Sequence, residues 1–145
     1  MGYPSAEEGA AILRRFKSEN PLDSLEAVAT GEEIVDAQNS YHSVLVDDCI
    51  LDYIVRIAEQ TRRDGDVVLG VSPRGTQALL RASQVKAILQ GRDYVTPDDV
   101  KAMVKPVFGH RIILRAGSRV KKGQSYEVLD RILSNTEVPA EKIEK

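Results

Sequence analysis

The chain has 145 residues, a net charge of −2, a mean hydropathy of −0.27 and no Trp, so it is long enough for one ordinary domain with an aliphatic core. No apolar run approaches the length of a membrane span and no signal-peptide pattern opens the sequence. The single cysteine, Cys49, excludes an internal disulfide, and a cytoplasmic protein is expected.

Helix starts punctuate the sequence. Ser5-Ala6-Glu7-Glu8 after Pro4 is a capping box: the serine accepts from the Glu8 amide and Glu8 reaches back to Ser5. Ala10, Leu13 and Phe16 follow at helical spacing, and Asn20-Pro21 stops the helix. Thr30-Gly31-Glu32-Glu33 is a second box, with Ile34, Ala37, Tyr41, Val44 and Leu45 as its stripe. Asp47 caps a third helix. Ile50, Ile54, Ile57, Ala58 and Thr61 line its inner face with Leu51 beside them, while Asp48, Asp52, Arg56, Glu59 and Arg63 take the other. Arg63 to Asp66 reads as a turn, and Val67 to Gly70 as a buried connector or a brief strand.

Ser72 then caps a fourth helix with Pro73 at its first position. The expected stripe is Ala78, Ala82, Val85 and Leu89, and Gly91 ends it. The first turn of this helix carries a cation, Arg74, and a weak helix former, Gly75. Helix starts favour anions, and a misplaced charge costs roughly 0.3–1 kcal/mol. Glycine costs about 1 kcal/mol more than alanine. The exposed amides of the turn and the Arg74 guanidinium together make an anion site. The structural alternative is an arginine paired with an acid from the negative half of the chain.

Thr96-Pro97-Asp98-Asp99 opens a fifth helix, with both carboxylates facing the helix dipole. Val100, Met103, Val104 and Val107 are its apolar positions; Pro106 should bend it and Gly109 end it. Arg111 to Arg115 is a short apolar run between charges. Ser125 caps a short sixth helix with Val128, Leu129, Ile132 and Leu133 inward. No segment shows sustained two-residue alternation. The fold expected is an all-α bundle of about five main helices followed by a C-terminal arm and a short sixth helix.

Little in the sequence resembles catalytic machinery. His42 and His110 have no nucleophile motif around them and read as structural. Cys49 sits at an acidic helix start, which raises a thiol pKa and leaves it inert. His and Cys clusters for a metal are absent, and capping accounts for Glu32/Glu33 and Asp98/Asp99. Between Ile112 and Ser125 the sequence imitates a phosphate-binding loop. Five residues separate Gly117 from Gly123, though, and Gln124 stands where the lysine belongs. The charge is uneven: residues 1–66 hold 6 Lys/Arg and 14 Asp/Glu, residues 67–145 hold 14 and 8. Lys101, Lys105, Arg111, Arg115, Arg119, Lys121 and Lys122 form a basic stripe free of acids, suited to phosphates, to an acidic partner or simply to solvent.

Several stretches together resemble the C-terminal lid domain of MoxR-family AAA+ ATPases. "GYPSAEEGAAILRR", Gly2 to Arg15, looks like the segment that follows the nucleotide-binding core in that family. "VSPRGTQALLRASQVKAILQGRDYVTPDDVKAMVKPVFGHRIIL", Val71 to Leu114, is similar to the family's lid signature, with "SPR", "GRDYVTPDDV" and "HR" its specific pieces. "SYEVLDRIL…VP" looks like the family's close. The resemblance implies a single lid over residues 1–145, with a helical bundle over 2–110 and an arm with a short helix over 111–145. Met stands directly before "GYP", so the nucleotide-binding core is expected to be absent from this chain.

By motif, Arg74 is the sensor 2 arginine, which reaches the γ-phosphate of ATP from the lid. No catalytic residue and no metal ligand is expected in this chain. The resemblance implies ATP and Mg2+ in the full-length protein, none bound to the isolated lid, and a chaperone-like remodelling role. It also implies partners: the protein's own core, neighbouring subunits of a ring, often a hexamer, and a von Willebrand factor A domain protein. Gly75 departs from the alanine the family often has there. A lid separated from its core would expose apolar residues near Val67–Leu69.

Two other functions fit parts of the sequence. The helix from Ser72 and the one after Thr96 mimic a helix-turn-helix, with the basic stripe on nucleic-acid backbone. The acidic overall charge and an Ala-, Leu- and Gln-rich reading helix weigh against it. A protein–protein adaptor using the acidic N-terminal half is the other. No membrane partner is expected.

Overall fold

The structure is a computed structural model, and it describes residues 2–17, 20–115 and 124–139. Among them the order is α1 (Ala6–Arg15), a 3₁₀ turn (Pro21–Ser24), α2 (Gly31–Asn39), a second 3₁₀ turn (Ser40–Ser43) and α3 (Asp48–Arg63). Then come β1 (Val67–Leu69), α4 (Pro73–Ile88), α5 (Pro97–Phe108), β2 (Ile113–Leu114) and α6 (Gln124–Asn135). The helices dominate, as an all-α fold requires. None of the described helices is long and apolar enough to cross a membrane.

The chain divides into two compact units, Met1–Ala37 and Gln38–Lys145. In the first, the Ser5 box closes as expected: the Glu8 amide donates to Ser5 Oγ at 3.2 Å and the Ser5 amide to Glu8 Oε2 at 2.7 Å. The Thr30 box repeats the pattern at 3.2 and 2.7 Å. Neither helix buries a residue: Leu13, Phe16, Ile34 and Val35 are all exposed. The stripe expected for α2 does not run through to Leu45. The helix ends at Asn39, Tyr41 falls in the 3₁₀ turn, and Leu45 leaves the helical path to bridge Tyr94. Val44 alone of that set is buried.

The second unit holds the core. Asp47 Oδ1 accepts from the Cys49 amide and starts α3. Ile50, Ile54, Ile57, Ala58 and Thr61 are buried as the spacing predicts, and so is Tyr53, on which the pattern was silent. Leu51 is exposed instead. The stripe expected for α4 is wrong by one step of the helix. The buried positions are Gly75, Leu79, Ser83 and Ala87, while Val85 and Leu89 face out. Size explains the shift. Ser83 and Ala87 are small enough to let a neighbouring helix come close, and α4 packs chiefly against α5. The Ser83 hydroxyl is silenced by donating to the Leu79 carbonyl at 2.9 Å.

Gly91 ends α4 at φ 71°, with its amide on the Ile88 carbonyl and the Arg92 amide on the Ala87 carbonyl, a Schellman closure. On α5, Val100, Val104 and Phe108 are buried, with Met103 and Val107 partly so. The helix runs on through Pro106 and closes at Gly109. The connector resolves as a strand: β1 pairs antiparallel with β2, Val67 opposite Leu114 and Leu69 opposite Ile113, with a bulge between. Only Val67 of β1 is buried; Val68 and Leu69 are exposed. Ser125 does not cap a short helix but lies inside α6, which has 12 residues, as many as α5. Val128, Leu129 and Ile132 sustain it by packing inward, and α6 lies against α3 and α5. Arg119, Lys121, Lys122 and the Gly117–Gly123 spacing fall outside the described residues.

Two arginines brace this unit through ion pairs. Asp99, 2% exposed, receives Arg92 in a two-pronged pair: Nη1 to Oδ2 at 2.8 Å and Nη2 to Oδ1 at 2.6 Å. Oδ2 also accepts from the Thr96 amide and hydroxyl, at 2.9 and 2.8 Å. Asp99 is therefore a buried acceptor that ties the α4–α5 turn together, more than a first-turn capping charge. Arg131 of α6 bonds Asp64 and Asp66 at 2.8–2.9 Å.

Burial pushes both carboxyls upward, but the bonds from Arg92 and Thr96 for Asp99, and from Arg131 and the Asp66 amide for Asp64, outweigh it and hold each below the ordinary range. A folded-state pKa below the unfolded one contributes stability above the unfolded value and loses it as pH falls. The urea midpoint should therefore decline once pH drops below about 4. Asp99→Ala removes the buried carboxylate that accepts from Arg92 and Thr96 and should cost about 1–3 kcal/mol at neutral pH. A loss under 1 kcal/mol in urea unfolding would show that the clasp is dispensable.

Candidate functional site

The first turn of α4 is positioned from α3. Val71 is 1% exposed and both of its backbone groups are held by α3. Its amide donates to Thr61 Oγ1 at 3.0 Å, and its carbonyl accepts from Arg62 Nε at 2.9 Å. The Thr61 hydroxyl in turn donates to the Ala58 carbonyl at 2.6 Å. The chain passes so close to α3 that a Cβ on Gly70 would stand 2.8 Å from the backbone nitrogen and Cα of Arg62. Val71 thus enters α4 in a fixed place. Ser72 follows as N-cap, its Oγ accepting from the Gly75 amide at 3.4 Å, and Pro73 takes the first helical position.

This arrangement delivers Arg74 to the surface. It is exposed and has no hydrogen bond or ion pair with any described residue. The structural alternative, pairing with an acid of the N-terminal half, is not realised among those residues. The first turn of α4 has no acidic residue either. Gly75 points inward and is buried. A Cβ there would stand 2.5 Å from Val71 Cγ1 and 3.4 Å from Arg111 Cδ. The glycine has a packing reason: both backbone groups of Val71 are held, and its side chain lies over this position.

The other candidates are not drawn to this place. His42 stacks beside Tyr41, ring centroids 3.9 Å apart, and is exposed, as is His110 in the turn after α5. The Cys49 thiol is pushed up by its hydrogen bond to Asp47, then by burial and by the charges of Asp47 and Asp52, as the acidic helix start implies. Among the described residues no group of three or more His, Cys, Asp or Glu could hold a metal. The basic stripe disperses. Lys101 pairs with Asp98 at 3.1 Å, Lys105 with Asp130 at 2.7 Å, and Arg115 Nε donates to the Gly65 carbonyl. Arg111 comes beside the first turn of α4, its Cδ close to Gly75. Sequence spacing could not place it there. Thr61 did carry a signal, a hydroxyl at an inward helical position.

The class of molecule is now legible: a helical domain that presents an arginine, unpaired among the described residues, from a helix start held by α3. An AAA lid domain model matches residues 59–132. The chain is 37% identical to YeaC, an uncharacterised protein of Bacillus subtilis, over 98% of its own length and 44% of that protein's. It is 30% identical to Chaperone MoxR1 of Mycobacterium tuberculosis over 96% of its length and 39% of that protein's. A crystal structure from Cytophaga hutchinsonii, provisionally described as an ATPase, superimposes with a TM-score of 0.82 at 20% identity, covering 97% of this chain and 45% of that one. The chain belongs to the AAA lid domain family, and within it to the C-terminal lids of MoxR-type AAA+ proteins. It spans less than half the length of these relatives.

Two substitutions test the local geometry. Thr61→Val leaves the buried Val71 amide without an acceptor and should cost about 1–3 kcal/mol, whereas Thr61→Ser should retain most of it; equal melting temperatures for the two variants would remove the hydroxyl from the account. Gly75→Ala gains about 1 kcal/mol of helix propensity. It overpacks Val71 by about 1–3 kcal/mol. Net destabilisation is expected in thermal melts, and a rise in melting temperature would show that Val71 can yield.

Proposed function

We propose that residues 1–145 act as one lid that closes over ATP bound by a preceding nucleotide-binding core, in a MoxR-type remodelling ATPase. The observation that carries this reading is Arg74, exposed and unpaired among the described residues at a helix start that α3 holds in place. A guanidinium there suits a phosphate oxygen by charge and by geometry. The helix amides behind it favour the same anion.

Arg74 then serves as sensor 2 and meets the γ-phosphate when the lid closes. The core supplies the phosphate-binding loop and the Mg2+ ligands, so the isolated chain is catalytically silent. Closure excludes water and adds a cation where charge is concentrated, which is how a lid contributes to turnover. The lid also contacts neighbouring subunits of a ring, of which a hexamer is the expected form. Its movement between nucleotide states is passed to them. The work is chaperone-like remodelling in the cytoplasm, with a von Willebrand factor A domain protein as partner. The MoxR1 relative, itself described as a chaperone, supports this reading.

Arg74→Ala separates function from folding. In the complete protein it should lower ATP turnover at saturating ATP by about 10²-fold, the scale of one removed transition-state donor. In the 145-residue chain the same change should leave stability unchanged or raise it by about 0.3–1 kcal/mol, because a cation leaves a helix start. Turnover equal to wild type would refute the role of Arg74.

A further inference from the structure

We propose that Arg111 is a second phosphate-binding arginine of the same site, acting beside Arg74 on the terminal phosphate of a nucleoside triphosphate. The inference rests on the lid reading above. Its own observation is the packing around Gly75. Arg111 Cδ lies 3.4 Å from where a Gly75 Cβ would be, so the aliphatic stem of Arg111 runs across the first turn of α4, next to the residue that carries Arg74. Adjacent Cα atoms are about 3.8 Å apart, and an arginine reaches farther than that. The Arg111 stem therefore lies at the helix turn that carries Arg74.

The backbone holds this approach. The Arg111 amide donates to the Phe108 carbonyl at 2.8 Å, and Phe108 is fully buried at the end of α5. Ile112, next in the chain, is also buried. Arg111 is thus anchored on both sides while its head is exposed. Lys101 and Lys105, its described neighbours in the basic stripe, are already committed to Asp98 and Asp130. Arg111 has no ion pair with any described residue, and neither has Arg74.

Two guanidinium groups carried on neighbouring backbone repel each other, and neither is offset by an acid among the described residues. They are stabilised together by a ligand of charge about −2, which is what a terminal phosphate carries near neutral pH. A nucleoside diphosphate lacks that group and meets the pair less well. The proposed consequence is specificity: Arg111 adds discrimination for the triphosphate state.

The experiment uses the complete protein and two probes, adenylyl imidodiphosphate, which has a γ-phosphate and resists hydrolysis, and ADP, which has none. Binding is measured for wild type, Arg74→Ala, Arg111→Gln and Arg111→Lys. Glutamine keeps most of the stem over Gly75 and removes the charge, and a thermal melt of each 145-residue variant checks folding. Arg111→Gln should weaken the analogue by about tenfold and leave ADP within about twofold, and lysine should restore part of the loss. A normal Arg111→Gln beside an impaired Arg74→Ala overturns the inference and leaves the lid reading standing. Equal weakening of both probes overturns it too, by moving the contact off the γ-phosphate. A normal Arg74→Ala overturns the lid reading and this inference with it.

Discussion

The clasp on Val71 is the constraint on which the site depends. One residue of the connector has its amide held by Thr61 and its carbonyl by Arg62, both from the last turn of α3. The two groups are buried, so neither can exchange its partner for water without a cost of about 1–3 kcal/mol. Fixing both ends of a peptide fixes the direction in which the chain leaves it. Ser72 and Pro73 then begin α4 at one place and in one orientation. Arg74 inherits a defined position although its own side chain is held by nothing described. A free side chain on a rigid base is what a domain needs if it is to present a charge to another body.

The far end of α4 is held differently. Gly91 turns the chain back, and Arg92 reaches into Asp99 at the start of α5. An ion pair this buried is no large net source of stability, because desolvation offsets most of the attraction. Its value is directional. Both prongs of the guanidinium and both oxygens of the carboxylate are used, and Thr96 takes up the remaining capacity of Oδ2. The turn between α4 and α5 therefore has one geometry. Small residues at Ser83 and Ala87 let α5 approach α4.

Caps were the most legible part of the fold. The Ser5, Thr30, Asp47, Ser72 and Thr96 starts all form, because a cap is decided by neighbours within three residues. Buried faces were legible only where large aliphatic residues mark them. They mark α3, and they mislead on α4, whose inner face is Gly, Leu, Ser and Ala while its larger Val85 and Leu89 look outward. Close approach selects for small size there, and a scale of hydrophobicity does not register it. Asp99 was invisible as a buried residue for a related reason: its partner Arg92 precedes it across a turn whose conformation is not local information.

The candidate site divides along the same line. Arg74 could be singled out from three letters, since a cation at a helix start contradicts the dipole and the contradiction is local. Gly75 reads in the sequence as a second penalty beside it. With the fold in view the two are connected. The glycine is small because Val71 is clamped above it, and the clamp is what gives Arg74 its position. The propensity lost at Gly75 and the dipole energy lost at Arg74 are thus both consequences of holding one arginine at one point. Functional sites are where local rules are broken in this way. Arg111 could not be added by such reasoning, since it joins the turn only after α5 has brought the chain back. Its stem crosses the one position in the turn that lacks a side chain, so the same glycine that admits Val71 also admits the second charge.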